Sequence, residues 1–167
     1  MLISSYVLIV FESIFAIFYA PHLNNICFYA KINERLFWEA YMDFFQIGAH
    51  ALAYLGDSVL EVLIRERLIL SGAQKSAKLN SEALKYVTAV NQARAFANIE
   101  GALNEEEAQI FRRGKNSSHL NIPKSASALE YKTATGFEAV FGYLHLCGKS
   151  ERILELFNLA YPELNLL

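Results

Sequence analysis

The amino-acid sequence predicts an all-α fold, and three observations support that class. Apolar residues recur at three- and four-residue intervals in five segments of the chain. Capping residues precede several of these segments, and glycine or proline follows them, as is typical of helices. No stretch alternates apolar and polar residues at the two-residue period of a half-buried strand. The 167 residues suffice for one domain with a full core, but not for a second sizeable module.

Composition also divides the chain near residue 41. Residues 1–41 are rich in aromatic side chains, and residues 1–20 are apolar over a length that could span a bilayer. Glu12 would be costly in hydrocarbon, and no Lys or Arg precedes the apolar run as a secretory signal requires. We expect residues 1–41 to be an upstream extension, with a membrane-associated segment as the alternative, and residues 42–167 to form the folded domain.

The first predicted helix covers residues 44–70. The segment contains no proline, and Gly72 follows its last apolar residue, as at many helix ends. Gly56 is a point at which this helix could bend. The apolar residues at helical spacing are Ile47, Leu52, Leu55, Val59, Val62 and Leu63.

Two more helices are predicted in the middle of the chain. One covers residues 82–99, and either Asn80 or Ser81 is expected to cap it. The other begins after Asn104, because three glutamates follow this capping residue in the first turn, and it runs to about Arg113.

The last part of the domain is predicted to contain a loop and two helices. Residues 114–127 favour a loop, because they collect glycine, asparagine, serine and proline. A fourth helix covers residues 128–146 and ends before Gly148. A fifth covers residues 150–160 and ends before Pro162.

Two acidic residues lie inside apolar helices and are the candidate catalytic groups. Asp57 lies in the first helix and Glu138 in the fourth. A carboxylate in such a setting is costly to desolvate unless a metal ion or a basic group accompanies it. A shared metal site is one interpretation, and separate pairing with buried Arg, Lys or backbone donors is the other. Glu61 lies one turn after Asp57, but Arg65 offers it a simple surface partner.

Positive charge is concentrated between Glu107 and Glu130, where the sequence contains no acid. The net charge is −2, so a nucleic-acid surface must be a local patch. A helix end followed by a polar loop suits phosphate binding, although arginines there could merely complement the helix dipole. The basic residues of this segment are Arg112, Arg113, Lys115 and Lys124.

The two cysteines argue against a zinc site. Cys27 and Cys147 lack the paired spacing that zinc sites use, so we expect both to be free thiols. The histidines have no ligand-like spacing either.

The two acids lie in motifs that resemble the ribonuclease III catalytic domain. The family's signature helix is similar to Leu-Gly-Asp-Ser-Val-Leu-Glu at 55–61, and its second motif is similar to Glu-Ala-Val-Phe-Gly at 138–142. A closer resemblance, over about residues 44–160, is to the compact Mini-ribonuclease III branch. It rests on Leu-Ala-Tyr-Leu-Gly-Asp at 52–57, Lys-Tyr-Val-Thr-Ala at 85–89, Arg-Arg-Gly-Lys-Asn at 112–116 and Tyr-Lys-Thr-Ala-Thr-Gly-Phe-Glu-Ala at 131–139.

Larger ribonuclease III enzymes carry further acids where this chain has His50, Ala53 and Thr135. The compact branch is similarly reduced. The number of metal ions in the site is therefore left open, and two carboxylates are enough for one Mg²⁺ ion.

The resemblance implies an all-α ribonuclease III-type helical bundle that cleaves double-stranded RNA. It implies that Asp57 and Glu138 bind Mg²⁺, with Mn²⁺ able to substitute, and that RNA is bound by Arg112, Arg113, Lys115, Asn116 and Lys124. It also implies a cytoplasmic homodimer acting on precursor 23S ribosomal RNA, with a ribosomal protein or an assembling ribosomal subunit as a further partner. The alternatives are a catalytically silent RNA-binding homologue and a membrane-tethered helical protein.

Overall fold

A computed structural model describes residues 43–72, 75–117 and 126–164 of the chain. Every regular element in these ranges is helical, which confirms the predicted all-α class. The six α-helices are α1 (Ala49–Leu70), α2 (Ser76–Val87), α3 (Ala89–Ala97), α4 (Glu105–Asn116), α5 (Ala128–Leu146) and α6 (Ser150–Ala160). Short 3₁₀ turns cover Phe44–Gln46, Glu100–Ala102 and Pro162–Leu164.

The predicted N-terminal extension, residues 1–41, lies outside the described residues. Its assignment as a separate segment therefore stays a prediction, and so does the membrane-tethered alternative that depends on it. Within the described ranges, none of the helices has both the length and the apolar character that crossing a membrane requires.

The helix α5 is the centre of the fold. It packs most extensively against α1, and also contacts α4, α3 and α6. Nearly all of its middle and C-terminal residues are buried, and Phe137, Phe141 and Leu144 are completely so. Phe137 and Phe141 pack against each other with ring centroids 4.9 Å apart. A helix that is apolar on all sides must be surrounded by others, and the remaining helices therefore assemble around α5.

Glycines allow α1 and α5 to approach closely. A Cβ atom added to Gly56 of α1 would lie 1.7 Å from the Glu138 carbonyl oxygen of α5. A Cβ atom added to Gly142 of α5 would lie 2.0 Å from the Leu52 carbonyl oxygen of α1. The two helices thus contact each other backbone to backbone. Gly56 does not interrupt α1, which continues unbroken to Leu70.

The start of the first helix was predicted too early. Residues 44–46 form a 3₁₀ turn, and α1 begins only after Gly48, whose backbone is extended at φ −56° and ψ 136°. The single predicted helix over 82–99 is also wrong: the chain forms α2 and α3, which meet at Thr88.

The break at Thr88 has a local cause. The backbone of Thr88 is extended at φ −77° and ψ 149°, and Asn91 donates a side-chain hydrogen bond to the Thr88 hydroxyl at 2.9 Å. The change of direction lets α2 pack against α1 while α3 packs against α5. The earlier start of α2 is possible because the hydroxyl of Ser81, a predicted cap, donates instead to the Lys78 carbonyl inside the helix.

The predicted loop over 114–127 also begins too early, because α4 continues to Asn116. Gly114 is buried inside that helix, where a Cβ atom would lie 2.8 Å from the Cα atom of Gly136. This glycine therefore brings α4 close to α5 rather than ending the helix. The predicted start of α4 is confirmed: Asn104 and Glu107 exchange hydrogen bonds as a capping box.

We expect Gly56→Ala to lower the free energy of unfolding by roughly 3 kcal/mol or more, because the new methyl group would meet backbone atoms that cannot move independently. Urea denaturation measures the change. Gly101→Ala is the matched control, because a Cβ atom at Gly101 has no neighbour within 4 Å. Equal stability of the two variants would contradict the close contact of α1 and α5.

Candidate active site

The close approach of α1 and α5 places the two predicted acids together. Asp57 directly follows Gly56, and Gly56 abuts the backbone of Glu138. The amide nitrogen of Gln92, on α3, donates to Asp57 Oδ1 at 3.5 Å, and the same amide acts to lower the pKa of Glu138. Gln92 is only 2% exposed. Three helices therefore meet at one cluster of two acids and one amide.

The environment opposes ionisation of both acids. Burial raises the pKa of Glu138 to about 8, and the negative charge of Asp57 contributes further, while the Gln92 hydrogen bond acts in the opposite direction. The pKa of Asp57 is also raised, first by burial and then by the charge of Glu61. Among the described residues, neither acid forms an ion pair with Lys or Arg. The interpretation in which each acid has its own basic partner therefore has no support here.

The donor set fits a divalent cation that prefers oxygen ligands. In the ranges that the structure describes, no group of three or more His, Cys, Asp or Glu residues could hold a metal ion. Magnesium, however, commonly takes one or two protein carboxylates and completes its coordination with water and substrate phosphate. Two ionisable acids whose mutual repulsion a cation would relieve meet that requirement.

The positions that carry further acids in larger relatives hold none here. Ala53 is buried, and the Thr135 hydroxyl donates to the Tyr131 carbonyl oxygen at 3.0 Å. Glu61 forms an ion pair with Arg65 at 2.6 Å. The surface-partner interpretation of Glu61 is thus the one that the geometry favours.

The basic residues of α4 differ in how strongly they are engaged. Arg112 is exposed and pairs with Glu105 at 2.9 Å. Arg113 donates to the carbonyl oxygens of Phe45 and Ile47 and lies over the Phe45 ring, so it holds the segment before α1. Lys115 lies over the Phe111 ring at 5.5 Å.

A surface cleft of about 380 Å³ brings several of these side chains together. Its lining residues are Phe45, Gln109, Arg112, Arg113 and Asn116. Three of the five predicted RNA-binding residues thus share one cleft, whereas Lys124 lies outside the described residues.

Sequence reasoning missed two residues near the acids. The sequence does contain an indication that Gln92 is special. It shares an apolar helix face with Ala95, Phe96 and Ile99, where a polar side chain needs a partner. The sequence contains no such indication for Tyr161, because its aromatic ring is an ordinary core group. Its hydroxyl is nevertheless buried and has no hydrogen-bond partner among the described residues.

Comparisons with known proteins identify relatives of this chain. A model of the ribonuclease III domain matches residues 50–149. The chain is 44% identical to the Mini-ribonuclease 3 of Symbiobacterium thermophilum over 109 residues, which cover 65% of this chain and 84% of that protein. It is 45% identical to the Mini-ribonuclease 3 of Streptococcus pneumoniae over 112 residues, covering 66% and 88% respectively.

A solved structure agrees with these matches. A Fusobacterium nucleatum protein determined by X-ray crystallography superposes with a TM-score of 0.64 at 31% identity, covering 71% of this chain and 94% of that one. The resemblance predicted from the motifs around Asp57 and Glu138 is confirmed.

The raised pKa of Glu138 makes the stability of the metal-free protein depend on pH. Between about pH 4.5 and pH 8 the folded chain retains a proton that the unfolded chain has lost, so the free energy of unfolding falls as pH rises. Glu138→Gln removes this titration. We expect its melting temperature in EDTA to exceed that of the wild type by about 5 °C or more at pH 8.5 and to match it at pH 4.5.

Glu66→Gln, an exposed position on α1, is the control for the loss of one negative charge. A difference between Glu138→Gln and wild type that is the same at both pH values would contradict the buried, proton-binding Glu138.

Proposed function

Since this chain belongs to the ribonuclease III family and is an endoribonuclease, we propose that Asp57 and Glu138 form its active site and hold a Mg²⁺ ion. The observation that carries the proposal is the meeting of two partly buried acids, without a basic partner among the described residues, where Gly56 of α1 abuts the backbone of Glu138. The family acts on double-stranded RNA, and duplex RNA is the substrate proposed here. Mn²⁺ is expected to substitute for Mg²⁺.

The side chains at this site suit the binding of a cation and a phosphate. A divalent cation supplies Lewis acidity, which lowers the pKa of a water molecule and offsets charge on the scissile phosphate. Asp57 and Glu138 would provide the carboxylates, and Gln92 donates a hydrogen bond to Asp57. The surrounding helices exclude bulk water from Glu138, so charges interact more strongly there than in solvent.

The basic cleft on α4 is the proposed RNA-binding surface. Arg112 and Asn116 line this cleft and offer donors for backbone phosphates. Lys115 lies between them near the end of the same helix, and Lys124 adds a charge in the following segment. Arg113 lines the same cleft, and its hydrogen bonds to two backbone carbonyls also hold the segment before α1 in place. Recognition would then depend on the shape and backbone of A-form RNA rather than on base edges.

An exposed apolar surface supports the proposal of a homodimer. A groove of about 440 Å³ lies between α1 and α6. Val62, which lines it, is 64% exposed, and Tyr54, which precedes the lining residue Leu55, is 82% exposed. Contiguous apolar surface of this kind is typical of protein interfaces. A two-fold axis there would present two equivalent sites to one duplex, each able to cut one strand. The apolar residues that line the groove are Leu55, Val59, Val62, Leu63, Ile153 and Leu154.

The physiological role is proposed on the similarity to Mini-ribonuclease 3 enzymes. We propose maturation of precursor 23S ribosomal RNA in the cytoplasm, with a ribosomal protein or an assembling ribosomal subunit as partner. A catalytically silent RNA-binding homologue is the second candidate, and retention of both acids argues against it.

We expect wild-type protein to cleave duplex RNA with Mg²⁺ or Mn²⁺ and to be inactive in EDTA. Asp57→Asn and Glu138→Gln should each lower the cleavage rate by at least about 100-fold, because each removes a charged cation ligand. Product formation on a labelled duplex measures this, and Glu66→Gln on α1 is the control. Unchanged cleavage by either acid variant would refute the site, while an inert wild type would favour the silent homologue.

The basic surface predicts a salt-dependent affinity. Arg112→Ala combined with Lys115→Ala should weaken RNA binding and reduce the slope of log affinity against log salt by about one to two, because fewer counterions are released. Titration of a fluorescent duplex at several salt concentrations measures the slope, with EDTA present to prevent cleavage. Lys75→Ala combined with Lys78→Ala removes the same charge from α2 and its cap. If both pairs change the slope equally, the α4 cleft is not the RNA surface.

A further inference from the structure

Packing in the hydrophobic core does not explain why residue 161 carries a hydroxyl group. The side chain is 2% exposed, and its hydroxyl oxygen has no hydrogen-bond partner among the described residues. A buried hydroxyl without a partner has lost its hydrogen bonds to water and gained none in exchange, which destabilises the folded chain. Phenylalanine would fill the same space without this cost, so the hydroxyl needs a reason other than packing.

The ring that carries this hydroxyl is held firmly. The Tyr161 ring packs against Phe157 at 5.2 Å, Tyr86 at 5.9 Å and Phe137 at 6.3 Å between centroids. Its backbone is fixed as well, because its N–H donates to the Phe157 carbonyl and its own carbonyl accepts from Leu164. The hydroxyl therefore has a defined position in the fold.

That position lies beside the part of α5 that carries the second acid. Phe137, which the ring contacts, immediately precedes Glu138. Burial raises the pKa of the Tyr161 hydroxyl above its usual range, and the charges of Glu138, Glu163 and Asp57 raise it further. Both acids of the active site are thus within electrostatic reach of a neutral hydroxyl that remains protonated and can donate.

We propose that Tyr161 is a positioning residue of the cation site, and that its hydroxyl donates a hydrogen bond to the Glu138 carboxylate when that group is ionised beside a divalent cation. The proposal rests on the proposed function of Asp57 and Glu138. An ionised carboxylate accepts several hydrogen bonds, and the Gln92 amide, which donates to Asp57, favours the charged form of Glu138 as well. Among the residues that the structure describes, the Tyr161 hydroxyl is the buried side-chain donor without a partner, so it would complete the set that orients this ligand.

The test is cation binding by the full chain in the absence of RNA. Tyr161→Phe removes the hydroxyl and keeps the ring. We expect the dissociation constants for Mg²⁺ and Mn²⁺, measured by calorimetric titration, to rise by about tenfold. The melting temperature without metal should stay equal or increase, because an unsatisfied buried hydroxyl has been removed.

Tyr143→Phe is the matched control. Tyr143 is also buried, but its hydroxyl donates to Glu106 at 2.6 Å. We expect this variant to lose stability and to bind both cations as the wild type does. A purely structural role for Tyr161 would give the same result as Tyr143→Phe, and that result would overturn the inference.

The acid variants separate this inference from the proposed function. If Asp57→Asn abolishes cation binding while Tyr161→Phe binds like wild type, the role of Tyr161 is refuted and the metal site stands. If Asp57→Asn and Glu138→Gln both bind like wild type, the metal site itself is wrong and the inference fails with it.

Discussion

The backbone contact between α1 and α5 is the constraint on which the rest of the structure depends. Gly56 and Gly142 remove the side chains that would otherwise separate the two helices, and each glycine then meets a carbonyl oxygen of the opposite helix. Asp57 and Glu138 lie beside this contact because one follows Gly56 and the other provides the carbonyl that it meets. The same pair of glycines therefore produces both the tightest packing in the core and the nearness of the two acids.

Close packing also determines the electrostatics of the site. Glu138 lies in the buried middle of α5, so desolvation is the main reason that its pKa rises to about 8, and the nearby Asp57 adds repulsion. Gln92 can only offset part of this, since a neutral amide stabilises a carboxylate without neutralising it. The fold thus holds two acids in a state that a cation would make more favourable, and this is the physical link between its stability and its proposed chemistry.

The sequence predicts local features of this fold better than contacts between helices. The capping box at Asn104 depends on neighbours in the chain, and it was predicted correctly. The packing of Gly114 against Gly136 depends on where α4 meets another helix, so the sequence predicted a loop there. The break at Thr88 involves a side-chain hydrogen bond from Asn91 that the helical spacing of residues 82–99 does not reveal. Asp57 and Glu138 were found because a charge in an apolar helix is conspicuous. Tyr161 was not, because only the folded structure shows that its hydroxyl is buried near them.

The small number of acids in this site has an electrostatic consequence. Each further carboxylate beside Glu138 would add repulsion and raise its pKa above the value of about 8 that burial and Asp57 already produce. Ala53 and Thr135 add no charge, and Gln92, the polar side chain that lowers the pKa of Glu138, is neutral. Neutral donors orient carboxylates without competing with a cation for them. A site with two acids and neutral neighbours therefore keeps Glu138 ionisable near neutral pH, which a more acidic cluster in the same buried position would prevent.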